Sequence, residues 1–285
     1  MPGVTIDGQT ATATSPEGVQ TSMPLGDLID RMAPRGPDTG DFVLPDGVKC
    51  LTSRGPVTVL VHETPPRVFN FRWIAADSPT PFGPEARYRT ARIALPYLIT
   101  IAVYRSMRGH LTLSDANECF FLSQPLRSLD APELMYPALL NCSRFRPPEG
   151  RPLSWICSQK LNRAAFERER DTNQRLRAAF RELMRTLLDT GFNFSSEHHE
   201  GASWFSETQK KHVDPRIETI EKWEAATRDD PLFPLEVPWL KTGLTTRQVI
   251  ERIFQNLRAR NHAVRSAADV ARLVFNHKPA EMARQ

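Results

Sequence analysis

Residues 136–160 read YPALLNCSRFRPPEGRPLSWICSQK, and the fold turns on how this stretch divides the chain. The sequence before it reads mostly as strands and the sequence after it mostly as helices. The stretch holds Cys142 and Cys157, with Asn141 beside the first, a turn at Pro147-Pro148-Glu149-Gly150, and Trp155 two residues before Cys157. A thiol is nucleophilic only as an accessible thiolate. A loop leading into a helix meets that need, because the free amides of a helix N-terminus favour an anion. Cys157 is therefore the candidate nucleophile. A buried structural cysteine is the ordinary alternative. The amide of Asn141 could donate to an oxyanion forming at a thioester carbonyl, or it could simply close a turn through its own backbone. Cys142 lies nearer to Asn141 and competes with Cys157 for any thiol role.

Working outward toward the N-terminus, Ala91–Tyr104 is the most apolar run of the chain. Its Ile, Val and Thr content favours strand over helix, and Pro96 within it argues for an edge position or a bulge. Val48–Ser53, Val57–His62 (VTVLVH) and Val68–Ile74 precede it, each bounded by Gly or Pro, and His110–Leu113 and Cys119–Leu122 follow. The connections are too short for helical crossovers, which implies an antiparallel meander. Leu25–Met32 reads as a short helix ended by Pro34, Gly36 and Pro37. Residues 1–24 are polar, small and without periodicity, and read as a disordered leader.

Outward toward the C-terminus the apolar period lengthens. Leu176, Phe180, Leu183 and Leu187 fall on one helical face, with Gly191 as a stop. An aromatic loop spans Phe192–Phe205 and a helix is expected over Pro215–Ala226. Thr245-Thr246-Arg247-Gln248 matches a capping box that opens a helix carrying Val249, Ile250, Ile253, Phe254 and Leu257. Ser266–Phe275 reads as a last helix.

The bulk numbers exclude several classes. The length of 285 residues suits one large domain or a domain with additions. The formal charge of +4 is spread over 37 basic and 33 acidic residues, with no dense basic block, so nucleic acid is not an expected partner. No apolar run reaches transmembrane length and the N-terminus does not read as a secretory signal, so no membrane association is expected. The four cysteines, Cys50, Cys119, Cys142 and Cys157, contain no CxxC pair and read as reduced thiols of a cytoplasmic protein. Glu197-His198-His199-Glu200 is the densest His/acid cluster, but it lacks the i, i+4 histidine pair of a helical zinc motif. It reads as a solvated loop, with His198 and His199 as weak candidates for proton handling. No metal or other cofactor is expected. Walker A, GxGxxG and GxSxG patterns are missing.

The order of features resembles the ubiquitin-conjugating E2 family, whose meander leads to a His-Pro-Asn tripeptide and then to a catalytic cysteine after a glycine turn. Tyr136-Pro137 stands near the His-Pro, Asn141 near the Asn, Gly150 near the turn glycine and Cys157 at the catalytic position. More closely, the chain looks like the divergent bacterial E2-like family grouped with the PRTRC system protein B (prokaryotic E2 family D). The matching pieces are Thr64-Pro65-Pro66-Arg67, Leu95-Pro96-Tyr97-Leu98, Leu134-Met135-Tyr136-Pro137 with Asn141, Gly150 with Cys157, and Gly191-Phe192-Asn193-Phe194-Ser195-Ser196. The chain departs from the pattern in its separated tripeptide, its long Asn141-to-Cys157 spacing and its C-terminal extension.

The resemblance implies an α+β fold, with a four-stranded antiparallel meander, helices on one face and a C-terminal helical extension. The expected division is a leader over 1–24, an E2-like domain over 25–205 and the extension over 206–285. The implied activity is transfer of a ubiquitin-like protein, received by Cys157 as a thioester from an E1-like ThiF-type activating protein and passed to an amine, with Asn141 as oxyanion donor. A non-catalytic E2-like scaffold is the alternative, and a metal-dependent hydrolase built on the HHE cluster comes last.

Overall fold

The structure is a computed structural model that describes residues 3–32, 43–80, 85–107, 110–139, 141–145, 153–158, 161–190, 203–260, 270–271 and 274–275. The disordered leader is the first expectation to be corrected. β1 (Gly3–Asp7), β2 (Thr10–Thr14) and β3 (Gln20–Pro24) form a three-stranded antiparallel sheet. The TATAT of β2 alternates strictly, so Ala11 and Ala13 lie buried on one face and threonines occupy the other. Alanine is so weakly apolar that this alternation does not register as a hydrophobic period. Helix α1 (Leu25–Met32) buries Leu28 in the same small cluster, which Ala271 and Val274 complete from the far end of the sequence.

The main sheet is antiparallel throughout. Its strands are β4 (Val48–Arg54), β5 (Val57–Thr64), β8 (Tyr97–Met107), β10 (Glu118–Leu122), β12 (Cys142–Phe145) and β13 (Leu153–Ile156), hydrogen-bonded in the order β12-β13-β10-β8-β5-β4. β9 (His110–Leu113) adds to β8, and β11 (Glu133–Met135) bridges β10 to β14 (Lys241–Thr245).

β6 (Arg67–Ile74) and β7 (Tyr88–Leu95) pair separately, but they continue β5 and β8 as one ribbon. Thr64 faces Leu98 and Arg67 faces Leu95, three positions further on each strand, so no residue is gained or lost across the gap. That register sets Pro66 opposite Pro96, with Pro65 beside them. Prolines lack the N–H that a ladder needs, and three of them at two adjoining levels break it from both sides. The apolar run expected as one strand is therefore two, with Pro96 at the bend.

The bent arm is held by helix α5 (Ile220–Asp229), whose side chains take over backbone groups on the outer edge of β7. Trp223 Nε1 donates to Ala94 O at 3.0 Å, Ala94 N donates to Thr227 Oγ1 at 3.0 Å, and Arg92 N donates to Glu224 Oε1 at 2.9 Å. Side-chain partners of this kind leave a strand edge nothing to pair with.

The expectation of helices on one face is also corrected, because both faces are covered. Leu60, Leu98, Tyr104 and Phe121 meet Leu176, Phe180 and Leu183 of helix α3 (Thr172–Arg185), together with Trp204, Trp223 and Trp239. Helix α2 (Ala164–Glu167) and α4 (Trp204–Lys210) flank this face. On the opposite face Val59, Val61, Ile99, Ile101 and Phe120 meet Val249, Ile250, Ile253 and Phe254 of helix α6 (Thr246–Arg260). The reason lies in β5 and β8, which are apolar at consecutive positions and so need cover on both sides. The capping box that opens α6 closes in both directions, with Thr245 N donating to Gln248 Oε1 at 2.9 Å and Gln248 N to Thr245 Oγ1 at 3.4 Å. Residues 206–260 are thus part of the main core rather than an appended extension. No helix among the described residues is long and apolar enough to cross a membrane.

Candidate functional site

The long spacing between Asn141 and Cys157 folds into a hairpin. β12 and β13 pair from Cys142↔Ile156 to Phe145↔Leu153, and this register returns the chain to its starting point. Cys157 N donates to Asn141 O at 3.0 Å. The two residues singled out from sequence are therefore neighbours at the open end of the hairpin. Gly150 lies outside the described residues.

Both are buried, Asn141 with 3% and Cys157 with 5% of its surface exposed. The side chain of Asn141 points at α3, where Nδ2 donates to Thr186 O at 2.8 Å. Thr186 opens the π-helical turn Thr186–Thr190 that ends α3, a place where carbonyls lose their regular intrahelical partners. In this arrangement the Asn141 amide ties the hairpin to the helix. To serve an oxyanion it would have to turn away from Thr186.

Cys142 is fully buried and faces Cys119 of β10 across the α3 side of the core. The two thiols hydrogen-bond, and burial first, with the neighbouring thiol second, pushes Cys119 well above the usual thiol range. Cys119, held protonated in this way, is a poor nucleophile.

The residue after Cys157 opens a polar cluster that sequence reading did not single out. Ser158 Oγ donates to Asp115 Oδ1 at 3.2 Å, and Arg163 pairs with the same carboxylate while its Nη1 donates to Leu113 O at 3.1 Å. Asn117 anchors the loop beneath, accepting from Val103 N at 2.9 Å and donating to Ser114 O at 2.7 Å. Downstream, Asn162 N donates to Glu182 Oε1 at 2.8 Å, and Glu182 also holds Arg185. The Arg185 guanidinium keeps the Glu182 carboxyl below its usual range. A groove of about 620 Å³ runs between α2 and α3 beside this pair, with Ala165, Ala178, Met184 and Leu188 in its lining.

Glu118 was missed as well. It sits opposite Trp155 in the ladder, one position before Cys119, and its side chain goes to the other face of the sheet. There it meets Arg252 of α6 at 2.7 Å and 2.9 Å, with the Ser154 N–H as a further donor. Burial raises its carboxyl to about 7 against the pull of Arg252. The available signal was slight: an acid at the head of the apolar run CFFL, and Arg252 on the margin of the α6 stripe.

Tyr136, expected near the His-Pro position, is 6% exposed and stacks on Trp204 with ring centroids 3.4 Å apart. His198, His199 and their flanking acids lie outside the described residues. Among the described residues no group of three or more His, Cys, Asp or Glu is placed to hold a metal ion. Comparison of the chain with protein-family models, with curated proteins and with solved structures gave no match.

Proposed function

We propose that the chain is an E2-like conjugating protein in which Cys157 carries a ubiquitin-like protein as a thioester. The observation that carries this reading is the contact of Asn141 with Cys157 at the mouth of the β12–β13 hairpin. It comes after strands β4, β5, β8 and β10, which neighbour one another in the sheet in the order of the chain once the bent β6–β7 arm and the short strands β9 and β11 are set aside. In the proposed reaction the Cys157 thiolate attacks the thioester carbonyl of a ubiquitin-like protein held on a ThiF-type activating protein, whose own thiol leaves. An amine then attacks the new thioester, the Cys157 thiol leaves, and the amine nitrogen gives up a proton as the amide forms. ATP is consumed by the activating protein. This reading requires the Cys157 end of the hairpin to open, because the thiol is buried in the closed form.

The burial of Cys157 and the engagement of the Asn141 amide by Thr186 favour a second reading, a non-catalytic scaffold of E2-like shape that binds the same partners. Incubation with ATP and with a ThiF-type activating protein and ubiquitin-like protein from the same gene neighbourhood separates the two. A thiol-sensitive adduct that disappears in Cys157→Ala supports the carrier. Undiminished partner binding by Cys157→Ala, with no adduct on the native chain, supports the scaffold. An adduct lost in Cys142→Ala but kept in Cys157→Ala overturns the assignment of the nucleophile.

A further inference from the structure

The outer strands of the two larger sheets are built on opposite lines. β4, at the edge of the main sheet, carries Lys49 and Arg54 and a register irregularity between Val48 and Cys50. Edge charges and bulges are the usual means by which a strand avoids pairing with another chain. β1 (GVTID) has no bulge and, at its last residue Asp7, a single charge. Its ladder to β2 is regular over all five residues, from Gly3↔Thr14 to Asp7↔Thr10, and it contains no Lys, Arg or Pro. Among the described residues no strand pairs with its other side. Ile6 lies opposite the buried Ala11 and shares its face of the sheet, yet 57% of its surface is exposed, while α1 packs on β3 and β2.

We propose that β1 pairs antiparallel with β1 of a second copy of this chain, about a two-fold axis through Thr5. Self-pairing leaves little freedom of register. The apolar faces of both copies stay on one side only if residues of like parity are opposed, since a one-residue slip turns every side chain over. Of those registers, the one that uses the whole strand sets Thr5 opposite Thr5, Val4 opposite Ile6 of the other copy, and Gly3 opposite Asp7 of the other copy. Val and Ile are a favourable cross-strand pair, and the only charge of the strand meets a glycine rather than a like charge. The product is a six-stranded sheet ordered β3-β2-β1-β1-β2-β3, in which both Ile6 side chains gain cover. A C2 contact of this kind is closed and self-complementary. It buries less than the roughly 1,000 Å² of a tight specific interface, so the association depends on concentration.

Sedimentation velocity and cysteine cross-linking of the full chain test this. The native chain is expected to shift from monomer to dimer as concentration rises, and Ile6→Lys to remain monomeric throughout. Thr5→Cys is expected to give an interchain disulfide with oxidised glutathione, one glutathione disulfide being reduced to two thiols for each bond formed. Thr12→Cys, on the same face of the middle strand, serves as the control, and about tenfold less cross-link is expected there because disulfide geometry is demanding. Circular dichroism checks that Ile6→Lys is folded; should it not be, the cross-linking pair decides alone. A native chain that stays monomeric at every concentration, or equal cross-linking at positions 5 and 12, overturns the proposal.

Discussion

On the α6 side of the main sheet Glu118 is buried as an ion pair with Arg252; on the α3 side Asn141 and His62 are held by hydrogen bonds to backbone. Glu118 and Arg252 face each other among Val, Ile and Phe side chains. Asn141 and His62 instead lean on main-chain groups: Thr186 O, and the Asp46 O to which His62 Nε2 donates at 2.7 Å. The two arrangements fail differently. A charge that loses its partner in an apolar layer has nowhere to turn, whereas an amide or a ring that loses one carbonyl forfeits a single neutral bond. They also suit different tasks. A neutral bond to a carbonyl can be exchanged for a bond to a substrate at small cost, and the bond of the Asn141 amide to Thr186 O, on the α3 side, is of that kind.

The comparison breaks first on Arg252→Met. Removing the guanidinium while leaving Glu118 in place is expected to cost about 3–5 kcal/mol in urea unfolding. The loss should be smaller at acid pH, where Glu118 is protonated. A cost below about 1 kcal/mol would mean that water reaches the pair and that the α6 side is not closed.

The next test is the pH dependence of the urea midpoint, because the two sides titrate in opposite senses. The Glu118 carboxyl is raised from its ordinary 4.5 to about 7 in the folded chain. The folded state therefore holds more protons than the unfolded one between these values. The stabilisation is full below 4.5 and is lost as pH rises through about 7, at up to about 1.4 kcal/mol per pH unit. Glu118→Gln should remove this fall. His62 is shifted the other way: burial depresses it below its ordinary 6.5, so its contribution is full above that value and is lost as pH falls. His62→Gln should flatten the acid side only. If Glu118→Gln leaves the slope between pH 5 and 7 untouched, the assignment of that slope is wrong.

The smallest effect is expected for Asn141→Ala, about 1–2 kcal/mol for one buried neutral bond. The backbone contact of Cys157 with residue 141 should survive it. A loss equal to that of Arg252→Met would erase the distinction between the two sides.

The positions of β5, β6 and β8 were legible because they are rich in branched and aromatic residues and punctuated by Gly and Pro. The double cover of the sheet could be read from the consecutive apolar residues of VTVLV and LITIAVY, but the resemblance pointed to a single covered face and that signal was passed over. β12 and β13 were not, because PPEG reads as a loop and the pairing of Cys142 with Ile156 depends on contacts made outside the hairpin. The partner of Asn141 was beyond reach, since Thr186 lies 45 residues away and enters only through the way α3 ends. Glu118 and Arg252 are separated by 134 positions, and neither carries a motif.

The unbroken register of the bent ribbon has a consequence for how the chain can change length. Beyond the bend it still runs true, with Ala75 N donating to Arg87 O at 2.9 Å. A single residue inserted in β5 or β8 would turn every side chain of its arm between it and the tip onto the wrong face, on both sides of the bend. Only the connection between Ala75 and Arg87 is exempt. That is where natural variants should differ in length, and where a reporter peptide or a whole inserted domain can be carried without disturbing the sheet.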